Sequence, residues 1–271
     1  MRKTILITGA STGIGKLTAI YFAKKDWNVA ATMRVVEKGV DLLEFPNIHI
    51  FYLDVMNEVS IKNTIAKTLN TFGAIDVVFN NAGYALVGAF EAMTQEQIKK
   101  QFDTNVFGVI NMTQSILPYF RERKTGTIIT NSSMGGLVSF PLYSVYHSTK
   151  WAIEGFMESL HYELKPFGIR IKNIEPGTIK TNFEHSLEFV TSDAYKYYVP
   201  KIHKNILEIY KNAPTGEVVA AKVFLAANDD SFRLRYPVGS QSPAVLLLRR
   251  LLPDSWFFKI VRYIVEKGIN S

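Results

Sequence analysis

The chain has 271 residues, 47% of them hydrophobic and none of them cysteine, and carries a formal net charge of +7. That is enough apolar material for one sizeable core in a single domain, and without thiols neither disulfides nor thiolate chemistry is available. The cations are scattered apart from Arg121-Glu122-Arg123-Lys124 and Arg249-Arg250, with no zinc-ligand pattern and no basic stripe interleaved with aromatics, so neither nucleic-acid binding nor a metal site is expected. Such scatter suits a solvated surface that attracts an anionic ligand, for example a phosphorylated cofactor. The start, MRKTILITGAS, has a basic tip, but its apolar run ends after Ile7. That is too short for a signal segment or a membrane span, and a cytoplasmic location is expected.

Apolar β-like runs then alternate with longer amphipathic stretches. The runs are Lys3–Thr8, Asn28–Met33, Ile48–Leu53, Ile75–Asn80, Gly126–Asn131 and Ile169–Glu175, with a weaker seventh near Tyr236-Pro237-Val238. Near-continuous hydrophobicity suits strands buried on both faces, with helices as crossovers. The expected fold is a doubly wound α/β domain with a parallel sheet of the Rossmann type.

Directly after the first run stands Thr8-Gly9-Ala10-Ser11-Thr12-Gly13-Ile14-Gly15, followed by a helical pattern in Leu17, Ile20, Tyr21 and Phe22. Glycines at a strand-to-helix turn let the backbone approach a pyrophosphate, and the helix N-terminus offers it unpaired N–H groups. The spacing differs from GxGxxG. At the end of the second run, where an adenosine ribose belongs, the chain reads Met33-Arg34 with no acid. An acid there would bind the 2′-hydroxyl of NAD and repel a 2′-phosphate, whereas an arginine pairs with the phosphate, so NADP(H) is expected over NAD(H). Ser11 offers a further hydroxyl contact; the alternative for Arg34 is a solvated loop residue. Asp54 follows the third run, placed either to accept from an adenine amino group or to cap the next helix.

Asn80-Asn81-Ala82-Gly83 follows the fourth run, its small residues suited to a ribose lying against the sheet while the asparagine amides pin the backbone. Asn105 interrupts an apolar helical stripe of Phe102, Val106, Val109, Ile110, Thr113 and Ile116. Buried there, its amide either is satisfied within the core or holds a water beside Lys150.

The chemistry concentrates between Ser132 and Phe156. Tyr146 and Lys150 lie four residues apart, one turn along one face of the helix expected from Ser144 to Leu164, and Ser133 ends the β-like run before it. A tyrosine of pKa about 10 is a poor acid/base at neutral pH. An ammonium about 6 Å away, at an effective dielectric of about 20, favours the phenolate by about 2.8 kcal/mol, or roughly two pKa units. With a cationic oxidised nicotinamide pushing the same way, the phenol is expected to work between about pH 7 and 8. Tyr-xxx-Lys alone also arises by accident on amphipathic helices, so its weight comes from the other motifs.

Together TGASTGIG, NNAG, Asn105, Ser133, YHSTK and PGTIKT (Pro176 to Thr181) resemble the short-chain dehydrogenase/reductase family, in family order over about the first 180 residues. The segments NNAGYALVGAFEAMT, SSMGGL and SLHYELKPFGIRIKNIEPG are most similar to its hydroxysteroid and retinol dehydrogenase group. The resemblance implies a catalytic set of Asn105, Ser133, Tyr146 and Lys150. Tyr146 is then the acid/base, Ser133 bonds the substrate oxygen, Lys150 holds the nicotinamide ribose and lowers the tyrosine pKa, and Asn105 supports a water relay. It also implies that Gly9, Ser11, Gly13, Ile14, Gly15, Arg34, Asp54, Asn81, Ala82 and Gly83 line the cofactor with Tyr146 and Lys150, while Pro176, Gly177, Ile179 and Thr181 seat the carboxamide. A homodimer or homotetramer through the helices of Asn105 and Tyr146 is implied as well. The expected activity interconverts an alcohol and its ketone or aldehyde. The alternative, a nucleotide-sensing regulator without turnover, sits poorly with an intact Ser133, Tyr146 and Lys150.

Residues 182–214 carry Phe183, Phe189, Tyr195, Tyr197, Tyr198 and Tyr210. They suit a lid over an apolar steroid-, retinoid- or smaller ketone-like substrate, with Leu86, Val87, Leu137 and Tyr143 as facing walls, or a helix pair packing its aromatics inward. The C-terminal extension, about 243–268, places Trp256, Phe257, Ile260, Val261 and Ile264 on one helical stripe beside Lys259 and Arg262. Packing on the domain is expected, with a subunit neighbour or a membrane surface as alternatives.

Overall fold

The computed structural model describes residues 2–180, 187–239 and 241–267. Seven parallel strands form the sheet: β1 (Thr4–Thr8), β2 (Asn28–Met33), β3 (Ile48–Tyr52), β4 (Val77–Asn80), β6 (Gly126–Asn131), β7 (Ile169–Pro176) and β9 (Arg235–Val238), in the order β3-β2-β1-β4-β6-β7-β9. The seven expected runs are these seven strands, with ends differing by one or two residues. The order reverses between β1 and β4, which opens a crevice beyond their carboxyl ends.

Each strand alternates its side chains between two helical layers, which is why the runs are apolar throughout. Ile5 and Ile7 enter one core with Phe22 and Ala19 of α1 (Gly13–Lys24) and Val219 and Val223 of α7 (Glu217–Asn228). Leu6, between them, enters the other core with Ile61 and Ile65 of α2 (Glu58–Phe72), Met112 and Ile116 of α4 (Gly108–Arg123), and Ile153 and Met157 of α5 (Ser144–Leu164). Between α3 (Gln95–Phe102) and α4 the chain makes one π turn, Asp103–Phe107, which contains Asn105.

A second, two-stranded parallel sheet pairs β5 (Ala85–Gly88) with β8 (Leu187–Val190). Gly88 has φ +136, and a Cβ there would fall 1.8 Å from the Val190 oxygen, so only glycine lets the two backbones approach. This pairing corrects the expected substrate wall. Leu86 and Val87, on opposite faces of β5, are buried against Met93 and Val145 and against Val199 and Ile202 respectively, and do not line the cleft.

The chain then forms α6 (Tyr198–Tyr210), and after β9 a helical pair, α8 (Ser242–Leu251) and α9 (Asp254–Val265). Phe257 and Val265 of α9 are buried on the domain, Phe257 against Met134 and Val138 and Val265 against Ala85 and Val87. Asn205 of α6 donates to the Val265 carbonyl at 2.9 Å, and Tyr198 bonds Glu266 at 3.3 Å. Packing on the domain is therefore what one face of the extension does. No helix among the described residues is long and apolar enough to cross a membrane.

Candidate active site

One cleft of about 1140 Å³ lies at the strand-order reversal. Its floor begins with the turn between β1 and α1. Gly9 has φ +69, and a Cβ on it would stand 2.8 Å from the Ala82 Cα, so the turn packs directly on the end of β4. Gly13, at φ +56, has open space where a Cβ would be. Thr12 gives α1 no side-chain cap, which leaves first-turn N–H groups without a side-chain acceptor beside the cleft. Gly9, Ser11, Gly13 and Ile14 line the cleft; Gly15 does not, because it packs behind the turn, its Cβ position 2.3 Å from the Gly9 oxygen.

Asn81 fastens this turn. Its Nδ2 donates to the carbonyls of Thr8 and Gly9, both at 3.1 Å, and its Oδ1 accepts from Asn131 Nδ2 at 3.0 Å. The Thr8 hydroxyl accepts from the N–H groups of Asn81 and Ala82 at 2.9 and 3.0 Å. With Ala82 and Gly83 also on the cleft wall, the glycine turn and the end of β4 form one rigid cradle.

Arg34 lies exposed at the cleft edge just beyond β2, with no ion-pair partner among the described residues. Lys38 lines the same edge. Sequence reasoning missed it because it sits in a 3₁₀ stretch, Val36–Glu44, between two expected strands; its spacing four residues after Arg34 was the available signal. Asp54 lines the cleft, its Oδ1 accepting from the Met56 N–H at 3.0 Å. The cap of α2 is Asn57, whose side chain accepts from Ser60 N at 2.9 Å, so the capping alternative for Asp54 falls away.

Tyr146 and Lys150 sit one turn apart on α5, and Ser133 begins the turn after β6. All three line the cleft, together with Pro176, Gly177 and Ile179 beyond β7. Thr181 and Phe183 lie outside the described residues. Lys150 Nζ donates to the Asn131 carbonyl at 2.7 Å and stands 5.7 Å from the centre of the Tyr146 ring. Ser133 Oγ accepts from Gly135 N at 3.0 Å and also bonds with the Tyr146 side chain.

In the protein alone, burial dominates the electrostatics of the site. Burial pushes the Tyr146 phenol up to about 12, opposed by the Ser133 hydrogen bond. Burial likewise pulls the Lys150 ammonium down to about 8, opposed by the charge of Glu154 one turn further on. Attraction across 6 Å favours charge on both groups, but in the protein alone the loss of hydration on both outweighs it. His147, next in sequence to Tyr146, is pulled down to about 4 by burial and so is neutral at pH 7. Its Nδ1 accepts from Phe140 N at 3.3 Å and its ring stacks on Tyr143, which stiffens the wall beside Tyr146.

Asn105 is buried and faces away from the cleft. Its Oδ1 accepts from Tyr84 N at 3.1 Å, and its Nδ2 donates to Tyr84 O at 2.9 Å and to Thr149 Oγ1 at 3.2 Å. These bonds tie the π turn to α5 through Thr149 and to Tyr84. Of the expected walls Tyr143 lines the cleft and Leu137 does not; its apolar end also includes Met134, Phe140, Ile206, Tyr210, Leu248 and Val261. Among the described residues no group of three metal-ligating side chains occurs.

A glycine cradle with open space at Gly13, an uncapped helix start and a cation at the adenosine-ribose end fit a dinucleotide, and the hydroxyl, phenol and ammonium at its other end fit transfer of a proton. The chain is thus an oxidoreductase of the Rossmann type. It belongs to the short-chain dehydrogenase family, whose model matches residues 3–189. The Bacillus subtilis uncharacterized oxidoreductase YusZ is 39% identical over 96% of this chain and 98% of its own. The 3-ketodihydrosphingosine reductase of Bacteroides thetaiotaomicron is 37% identical over 66% of this chain and 65% of its own. A crystal structure of a short-chain dehydrogenase from Streptomyces avermitilis superposes over 100% of both chains with TM-score 0.83 at 31% identity. ElxO with NADP bound gives 0.74 at 30% identity over 88% of this chain and 98% of its own.

Proposed function

We propose that the protein is an NADP(H)-dependent oxidoreductase that interconverts an apolar alcohol and its ketone or aldehyde. The observation that carries the reading is the meeting of Ser133, Tyr146 and Lys150 in the cleft whose other end is the glycine cradle. NADP(H), when bound, supplies or takes up the hydride. The glycine turn and the first N–H groups of α1 hold the pyrophosphate, and Arg34 with Lys38 pairs with the 2′-phosphate. Asp54 accepts from the adenine, and Pro176, Gly177 and Ile179 seat the carboxamide. In reduction, Tyr146 Oη gives its proton to the carbonyl oxygen while the Ser133 hydroxyl donates to the same oxygen; oxidation reverses both steps. Lys150 opposes the burial that disfavours the phenolate, held in place by the Asn131 carbonyl. Asn105 acts by positioning the π turn against α5.

The apolar lining of the substrate end supports an apolar carbonyl, as does the 3-keto lipid named for the Bacteroides relative. ElxO, with NADP bound, supports the cofactor reading together with Arg34. Of the expected lid, 182–214, the described residues 187–214 serve that role, supported by Ile206, Ile209 and Tyr210 of α6 on the cleft wall. Exposed Phe107, Trp151 and Tyr162, on the π turn and α5, support a homodimer or homotetramer, checked by sedimentation velocity.

A carbonyl panel of hydrophobic ketones, steroids and retinal, followed by NADPH absorbance, tests the activity. Tyr146→Phe should lower turnover by about 10²–10⁴-fold and leave NADPH binding nearly intact. Turnover within about tenfold of the parent removes Tyr146 as the acid/base.

A further inference from the structure

The outer face of the extension is as apolar as its inner face. On α9, Trp256, Ile260, Tyr263 and Ile264 follow the spacing i, i+4, i+7, i+8 and form one stripe. Trp256 and Tyr263 are 62% and 78% exposed, and Leu251 at the end of α8 is 68% exposed. This stripe runs into the cleft: Ile260, Ile264 and Leu248 are exposed and at the same time line it, beside the buried Phe257 and half-buried Val261. The apolar end of the cleft therefore opens through a rim of large apolar side chains rather than through a polar mouth.

The rim is flanked by cations. From Ser242 to Lys267 the chain carries Arg249, Arg250, Lys259, Arg262 and Lys267 against only Asp254 and Glu266. Arg249 pairs with Asp254, and Arg262 with Glu266 at 3.0 Å. Arg250, Lys259 and Lys267 keep no acidic partner among the described residues, and the neighbouring α6 adds Lys201 and Lys204 likewise unpaired.

We propose that this rim docks on an anionic lipid surface, with the cleft opening onto it. An aromatic and aliphatic stripe beside unpaired cations matches the boundary between acyl chains and acidic headgroups. A second copy fits worse, since a twofold contact sets the same patch against itself and brings cation against cation. The proposal deepens the apolar-substrate reading by making the lipid phase the source of the carbonyl, and it rests on that reading only there.

The test is flotation of the full chain with vesicles of phosphatidylcholine alone or mixed with phosphatidylglycerol, beside NADPH fluorescence titration of the same samples. The chain should float with the mixed vesicles and far less with the neutral ones. Arg250→Gln/Lys259→Gln should weaken binding about thirtyfold. Leu251→Ser/Trp256→Ser/Tyr263→Ser, at positions outside the cleft wall, should weaken it at least about a hundredfold with the NADPH titration unchanged. Equal flotation with both vesicles, flotation with neither, or a triple variant that floats like the parent overturns the proposal. So does self-association that the triple variant abolishes in the absence of vesicle binding. Flotation needs no turnover, so a failed carbonyl panel and a failed docking test are separate outcomes.

Discussion

Replacing Lys150 by methionine removes the ammonium and keeps most of the volume of its stem. The Nζ stands 5.7 Å from the centre of the Tyr146 ring. At an effective dielectric of about 20, two unit charges about 6 Å apart interact by about 2.8 kcal/mol, or roughly two pKa units on the phenol. The sign follows from charge: a cation stabilises the phenolate, so its loss raises the Tyr146 pKa further above the ordinary value, in the direction burial already pushes it. Alcohol oxidation needs the phenolate and reduction needs the phenol. With a cationic oxidised nicotinamide bound, which draws the phenol's titration down toward the range where Lys150 is charged, the pH profile of kcat/KM for oxidation in Lys150→Met should rise about two pH units later than the parent's, with a loss of roughly a hundredfold at any pH below both midpoints. The alkaline fall in reduction should move up by the same interval.

Stopped initial rates with a buffer series, together with NADPH fluorescence titrations, make the measurement. Weaker cofactor binding from a lost ribose contact lowers the whole profile without moving its midpoint, so the two effects separate. Lys150→Arg keeps the charge and should leave the midpoint within a few tenths of a unit. A Lys150→Met profile with the parent's midpoint and only a lower plateau would refute the electrostatic role of the lysine.

Arg34→Asp should shift preference toward NAD(H), because a phosphate partner becomes a ribose acceptor that repels phosphate; an unchanged ratio of kcat/KM for the two cofactors removes Arg34 from the site. Gly9→Ala puts a Cβ 2.8 Å from the Ala82 backbone at φ +69 and should cost roughly 1–3 kcal/mol in urea denaturation while weakening NADPH binding. Unchanged stability and binding would show that the turn does not depend on that approach. Glu175 is pushed up from 4.5 to about 8, first by burial and then by Glu154, with Arg235 opposing. Its contribution is fully present below about pH 4.5 and is lost as pH rises through about 8, by at most about 5 kcal/mol. Glu175→Gln should flatten that slope, and parallel stability–pH curves for parent and variant would exclude the residue as its source.

The main sheet was legible because each of its strands is apolar on both faces, as Ile5, Leu6 and Ile7 show by entering alternate cores. The small sheet was not, because β5 is four residues long and pairs with a segment about a hundred residues away. The same feature misled the reading of the substrate wall. A leucine or valine looks alike whether it lines a cleft or points into a core, and only the pairing of β5 with β8 shows that Leu86 and Val87 point into two separate cores. The glycine turn and Tyr146-xxx-Lys150 were legible because their chemistry is carried by local spacing. The Tyr146 pKa was not, since its largest contribution is the desolvation that the whole fold imposes.

What the motifs conceal is how they are joined. Asn131 accepts the Lys150 ammonium on its carbonyl, and its side chain donates to Asn81, which in turn donates to Thr8 and Gly9. The cation beside the phenol and the turn at the far end of the cleft are therefore connected by consecutive hydrogen bonds across the ends of β6, β4 and β1. Those strand ends lie side by side only because the sheet orders β1, β4 and β6 as neighbours, although they are far apart in sequence. Nothing in the spacing of TGASTGIG, NNAG and YHSTK states that connection. The fold supplies it, and with it a fixed distance between the glycine turn and the phenol of Tyr146.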